Sequence, residues 1–180
     1  MTTKLNIGCQ HVKKVGFVNV DLDPLTGPDV VADALHLPYE SNTIDYIEST
    51  HCIEHTTSFD MFNREMYRVL KMNKLIKITM PYAYGRLSLS SDHILHIKAH
   101  NFYKYEVGNK HKSLNPNVTW EVVTISYRHC YPLYLVPLWL VGSVVEGLLN
   151  RFGRRFRELY ECHWGWLFPM QEFTITMVKK

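Results

Sequence analysis

A chain of 180 residues, 46% hydrophobic and 21% charged, suffices for one domain with a sizeable core and is neither a disordered nor a fibrous composition. Its formal charge of +3 comes without the dense basic stripe of a nucleic-acid binder, so no nucleic-acid partner is expected. Cys9, Cys52, Cys130 and Cys162 lie far apart and form no CxxC pair, which excludes a disulfide scaffold and fits reduced thiols in a cytoplasmic protein.

In chain order, Leu5–Gly8, Phe17–Asp21 and Val30–Val31 read as short buried strands, each ended by a turn former or an acid. Met1 runs almost directly into the first of them, which leaves no room for a signal peptide. Thr43–Ser49 is a fourth strand. Ser58–Lys71 places Phe59, Phe62, Met66, Val69 and Leu70 at helical spacing, with Ser58 as N-cap. Lys74–Met80 returns to strand. Beyond it a helix is expected over Asn101–Val107, a strand over Trp120–Ser126, a helix over Leu133–Asn150 and a last strand over Glu172–Val178. Alternating strands and helices predict a Rossmann-like α/β domain: a seven-stranded, mostly parallel sheet covered by helices on both faces. The uncharged run Cys130–Val145 is interrupted by Pro132, Pro137 and Gly142, and it falls short of the ~20 residues that span a bilayer. It is expected to be a buried helix with a basic end, its apolar stretch 132–149 available for packing against a second copy.

The first two strands carry the chemistry. In open α/β sheets ligands bind beyond the carboxyl ends of the strands. A glycine there, Gly8, lets a ligand approach the backbone. An acid at the next strand tip, Asp21 or Asp23, can accept hydrogen bonds from two ribose hydroxyls. A pyrophosphate would need a glycine-rich cradle, but Cys9, Gln10, His11, Val12 and Lys13 follow Gly8, so NAD and ATP fit poorly. A nucleoside without phosphates, such as S-adenosylmethionine, needs less glycine.

With "LNIGC", "GFVNVDLDP", "DVVADALHLPYESNTIDYIESTHCIEH", "YRVLK" and "IKITMPY" in this order, the sequence resembles the class I S-adenosylmethionine-dependent methyltransferases. Within them it looks most like the small methyltransferase-type-11 branch. The likeness runs from Leu5 to about Tyr82 and continues more weakly to the end. It implies a single domain over residues 1–180, with a cofactor-binding half (1–82) and an acceptor-side half (83–180). Carried over by position, Gly8, with Cys9 and Gln10 beside it, lies under the methionine part of the cofactor. Asp21 takes the ribose, with Asp23 behind it. Asp33 receives the adenine amino group, and Ala34 and Leu35 pack near the base. Ser49, Thr50 and His51 line the cofactor's open side, and Glu54 and His55 complete the branch's "LEH" signature. Asp92–His93 matches a D-H pair on the acceptor side. Tyr82 is counted with Asp92 and His93 among the acceptor contacts, although Tyr82 and Tyr84 are either core or face the sulfonium, where an aromatic ring stabilises positive charge. Three departures stand out: the family's second glycine is Gln10 here; the usual "LKPGG" turn is "LKMNK", in which Asn73 can still adopt left-handed geometry; and only Cys9 to Val15 separates the first two strands, short for a crossover helix.

The implied function is methyl transfer from S-adenosylmethionine to an oxygen or nitrogen atom of a small-molecule acceptor. His93 or His51 is the candidate base where the acceptor is an oxygen. Two other classes remain open. One is a pseudo-methyltransferase that binds the cofactor without turnover, suggested by Gln10. The other is a metal-binding domain using His93, His96 and His100, which share one face if that segment is helical. No metal is otherwise expected, since no ligand spacing supports a tetrahedral site.

Overall fold

The computed structural model describes residues 2–83, 89–106, 117–128, 136–161 and 170–180, with side chains of 136–142 excepted. Seven strands form one sheet: β1 (Lys4–Ile7), β2 (Val18–Asp21), β3 (Val30–Val31), β4 (Ile44–Thr50), β5 (Leu70–Pro81), β6 (Trp120–Arg128) and β7 (Glu172–Lys179). Their spatial order is β3-β2-β1-β4-β5-β7-β6. The first five run parallel, and β7 slots in antiparallel between β5 and β6. The order reverses at β1, so the tips of β1, β2 and β4 frame a crevice where a ligand can sit.

Helix α1 (Phe59–Val69) starts where Ser58 accepts a hydrogen bond from the Met61 amide at 3.2 Å. It buries Phe62, Met66 and Val69. Its chain passes straight into β5, and Asn73, at φ +59°, supplies the left-handed residue anticipated in the "LKMNK" turn. Helix α2 covers Val136–Arg151 and ends one residue past the expected Asn150, while residues 129–135 lie outside those described. The segment expected to be helical over Asn101–Val107 is a 3-10 helix over Ala99–Tyr105. A short helix α3 (Arg154–Leu159) was not anticipated, its arginines having been read as the basic end of the preceding helix.

The sheet has two unlike faces. Leu5, Ile47, Ile76 and Met177 are in register across four strands, and Ile7, Ser49, Ile78, Ile175 and Ile125 across five. Their apolar members join Phe62, Met66 and Val69 of α1 and Leu149 of α2 in a single core cluster, except that Ser49 is buried among them. The rows between are polar: Asn19, Asn6, Glu48, Lys77, Thr176 and Thr124 align across six strands. On this second face Lys14 and Lys77 approach Glu48 at 2.8 and 3.6 Å, and the Thr79 and Thr174 hydroxyls meet at 2.8 Å. Helices were expected on both faces. Among the described residues the buried helical side chains serve one face, and strand alternation leaves the other hydrophilic.

No helix among the described residues is long and apolar enough to cross a membrane. The apolar stretch 132–149 is described only in part. Its visible end carries Val144, 60% exposed, and Leu148, 37% exposed.

Candidate functional site

The link from β1 to β2 is too short for a helix, and it is shaped by buried amides instead. Asn19 Oδ1 accepts from the Lys14 amide at 2.8 Å and from Asn6 Nδ2 at 3.0 Å, and Asn6 Nδ2 also donates to the Val12 carbonyl. This clamp turns the chain sharply at Gly8 (φ +68°) and Gln10 (φ +45°). Positive φ is expensive for any residue with a Cβ, so Gln10 holds a glycine's conformation without being one. A Cβ on Gly8 would lie 2.5 Å from Cys52 Cβ. Gly8 is therefore the residue that lets the first strand tip pack against the turn after β4.

Asp21, at the tip of β2, secures the loop from the other side. Its Oδ2 accepts from the Gln10 amide at 2.7 Å and its Oδ1 from the Asp23 amide at 3.0 Å. Asp33 does the same for the next turn, accepting from the Leu35 amide at 2.8 Å. Each carboxylate oxygen retains a second lone pair for a ligand.

Beyond these tips lies a cavity of about 280 Å³. Gly8, Gln10, Asp21, Asp33, Ala34, Leu35 and His51 line it, seven of the positions carried over from the family resemblance. Cys52, His55, Thr56 and Thr57 add a second wall. Of these only His55 had been singled out, through the "LEH" signature; the others carry no residue type that marks a site. Cys9, Asp23, Ser49 and Thr50 do not line the cavity. Cys9 and Ser49 are buried. Asp23 caps the Pro24–Thr26 turn by accepting from Leu25, and Thr50 is exposed on the hydrophilic face. Tyr82 is core: it is 0% exposed and packs against Tyr127, Tyr160 and Phe173. Its amide donates to the Gln171 carbonyl, which turns the end of β5 inward. Tyr84 lies outside the described residues.

His51 sits at φ +50° between two carboxylates, Nε2 at 3.1 Å from Glu172 and Nδ1 at 3.1 Å from Glu54. The hydrogen bond to Glu172, and then that to Glu54, raises its pKa to about 9. At neutral pH it is an imidazolium with both nitrogens occupied, which leaves no lone pair for the general-base role expected of it. Glu172 is correspondingly held below the usual carboxylate range.

The segment from Ser90 to Lys98 is not helical. It is tied down by the Ile94 and Leu95 amides, which donate to the Glu54 carbonyl at 2.8 and 3.0 Å. Asp92 is exposed; its carbonyl accepts from His55 Nδ1 at 3.1 Å, and Ser90 hydrogen-bonds its carboxylate and holds its pKa down. His93 meets the edge of His55, ring centroids 4.8 Å apart, and so reaches the cavity through a residue that lines it. The three-histidine face is not formed. His96 is exposed, and His100 turns to buried Glu161, Nδ1 to Oε2 3.2 Å.

The description "Methyltransferase domain" matches residues 9–77. Norajmaline N-methyltransferase of Rauvolfia serpentina is 42% identical over 62 residues, which cover 34% of this chain and 21% of that enzyme. The matched stretch is thus about a fifth of the curated relative. An S-adenosylmethionine-dependent methyltransferase from Archaeoglobus fulgidus superposes with a TM-score of 0.62 at 16% identity, over 99% of this chain and 86% of that one. Phosphoethanolamine N-methyltransferase 2 of Haemonchus contortus, solved with S-adenosyl-L-methionine, gives 0.54 at 18% identity over 99% and 49%. The (4+2)-cyclase SpnF gives 0.59 at 15% identity over 99% and 75%, so the fold by itself hosts more than one chemistry. Sequence likeness over residues 9–77 to a methyltransferase-domain family and strand order across the whole sheet agree, and the chain has the Rossmann-like fold seen in class I methyltransferases.

Proposed function

We propose that this domain transfers the methyl group of S-adenosylmethionine to an oxygen or nitrogen atom of a small-molecule acceptor. The observation that carries this is the cavity beyond β1 and β2, with Asp21 at its rim and no phosphate cradle. In the bound state the free lone pairs of Asp21 accept the two ribose hydroxyls, and Asp33 accepts the adenine amino group beside Leu35 and Ala34. Gly8 and Gln10 run under the methionine part, with Cys9 behind them. The sulfonium is already an activated electrophile. The acceptor's lone pair forms the new bond to carbon as the carbon–sulfur pair returns to sulfur, so the protein's work is in-line placement, which supplies several kcal/mol.

Residues 1–82 then hold the cofactor and 83–180 shape the acceptor side, with Asp92 and His93 at its edge. An oxygen acceptor must lose a proton. His93 is the base for that step, since its Nδ1 is buried and has no hydrogen-bond partner among the described residues, whereas His51 is already protonated. Exposed Val144 and Leu148 at the end of α2, with Phe152 and Leu159 nearby in sequence, support a homodimer through the 132–149 stretch, and the free thiols of Cys9 and Cys52 suit the cytoplasm.

Calorimetric titration tests the cofactor assignment. S-adenosylmethionine and its demethylated product should bind and NAD should not. Asp21→Ala removes charge-assisted hydrogen bonds worth roughly 1.5–3 kcal/mol each, so affinity should fall at least tenfold. Unchanged affinity in a folded Asp21→Ala protein would overturn the ribose assignment.

A further inference from the structure

We propose that Glu54, His55 and His93 form a binding site for a divalent transition-metal ion, zinc by donor type, at the wall of the cofactor cavity. The three residues come from two segments, the 3-10 turn Ile53–His55 and the stretch after β5. They offer one carboxylate oxygen and two imidazole nitrogens within 4.8 Å of one another. The site differs from the His93, His96 and His100 face considered from the sequence and shares only His93 with it.

Four observations converge. Glu54 is 2% exposed; His51 engages its Oε1, and its Oε2 is buried without a hydrogen-bond partner. His93 Nδ1 is likewise buried and unpartnered. Two adjacent buried polar atoms without partners are costly in a native fold, and a cation bound by the carboxylate and the neutral Nδ1 would satisfy both. His55 Nδ1 lies 3.1 Å from the Asp92 carbonyl, so that nitrogen carries the proton and Nε2 is left with a free lone pair. A carbonyl behind an imidazole is the usual support of a metal-ligating histidine. Finally, the arrangement is built: the Ile94 and Leu95 amides on the Glu54 carbonyl hold His93 against His55.

Two imidazoles and a carboxylate suit zinc and its first-row neighbours and leave a coordination position open. Metal–ligand bonds near 2.1 Å require donors roughly 3.4 Å apart, so the rings close by about an ångström on loading. Because His55 lines the cavity, the open position faces the space beside the cofactor. There it would take a deprotonable oxygen or sulfur group of a small molecule. In the loaded site His93 is a ligand and is not available as a base.

The proposal does not depend on methyl transfer, because binding is read without turnover. Purified full-length protein is stripped with chelator, then titrated with Zn²⁺ against a chromophoric chelator and with Co²⁺ by visible absorption, with elemental analysis after gel filtration. One zinc per chain and a Co²⁺ spectrum of low coordination number are expected. Glu54→Gln and His93→Ala should each weaken binding at least tenfold, and His96→Ala, a histidine outside the trio, should leave it unchanged. Circular dichroism identifies variants that fold. If Glu54→Gln does not, His55→Ala replaces it. Absence of stoichiometric binding in the native protein, or equal affinity in the folded trio variants, would overturn the site.

Discussion

Replacing Gly8 by alanine isolates the contact on which the first strand tip depends. At φ +68° any L side chain is strained, by about 1–2 kcal/mol. The new methyl carbon would also stand 2.5 Å from Cys52 Cβ and 2.7 Å from its Sγ, well inside van der Waals contact, and overpacking of this kind costs about 1–3 kcal/mol. The expected loss is therefore ~2–5 kcal/mol, a large share of a typical domain's stability. Cys52→Gly removes both clashing atoms and leaves Cα at 3.5 Å, an ordinary contact, while the backbone strain stays. Urea unfolding of the native protein, the two single variants and the double variant closes a double-mutant cycle. A coupling of ~1–3 kcal/mol, with Cys52→Gly partly rescuing Gly8→Ala, is expected. A stable Gly8→Ala protein within ~0.5 kcal/mol of native, or a coupling of zero, would refute the packing.

Gln10→Gly should leave stability unchanged or raise it by up to ~1 kcal/mol, since relief at φ +45° slightly outweighs glycine's added chain entropy; cofactor affinity, read by calorimetry, should not weaken. Glu161 is buried and accepts from the Ala99 and His100 amides and the Tyr127 hydroxyl, so Glu161→Ala should cost at least ~2 kcal/mol by denaturant titration. The raised pKa of His51, about 9 against an ordinary 6.5, makes its contribution to stability complete below pH 6.5 and lost as pH climbs through 9. Thermal melts in chelator should therefore fall over that window in the native protein and stay flatter in His51→Gln, and equal slopes would remove the ion pair from the account.

The legible parts of the sequence were those in which neighbouring residues determine the outcome. Gly8, Asp21 and Asp33 end strands and govern their own turns, so their place at the cavity followed from local pattern and family likeness together. The errors are long-range. His93, His96 and His100 have helical spacing, but two amides of that stretch bond to the Glu54 carbonyl far back in the chain, and no local signal announces it. Tyr82 follows a strand and looks available, but β7 pairs beside it and rotates it into an aromatic core. Likewise His51 invites a catalytic reading until Glu172, distant in sequence, is seen on its Nε2. One miss was avoidable. Ile76 to Met80 and Phe173 to Met177 alternate apolar with lysine or threonine, the period-two mark of a sheet wet on one side.

That hydrophilic face divides the sheet's positions into two populations with different freedom to change. Thr124, Thr174, Thr176 and Lys77 stand on the open face, and the last three belong to strands with a neighbour on either side. Exchange among residues that favour extended backbone costs little there. Ile76, Ile78, Ile175 and Met177, one step along the same strands, have no such latitude. Sequence drift along each strand is thus permitted at every second residue, and the chain can diverge widely while the strand order and the crevice at its reversal persist.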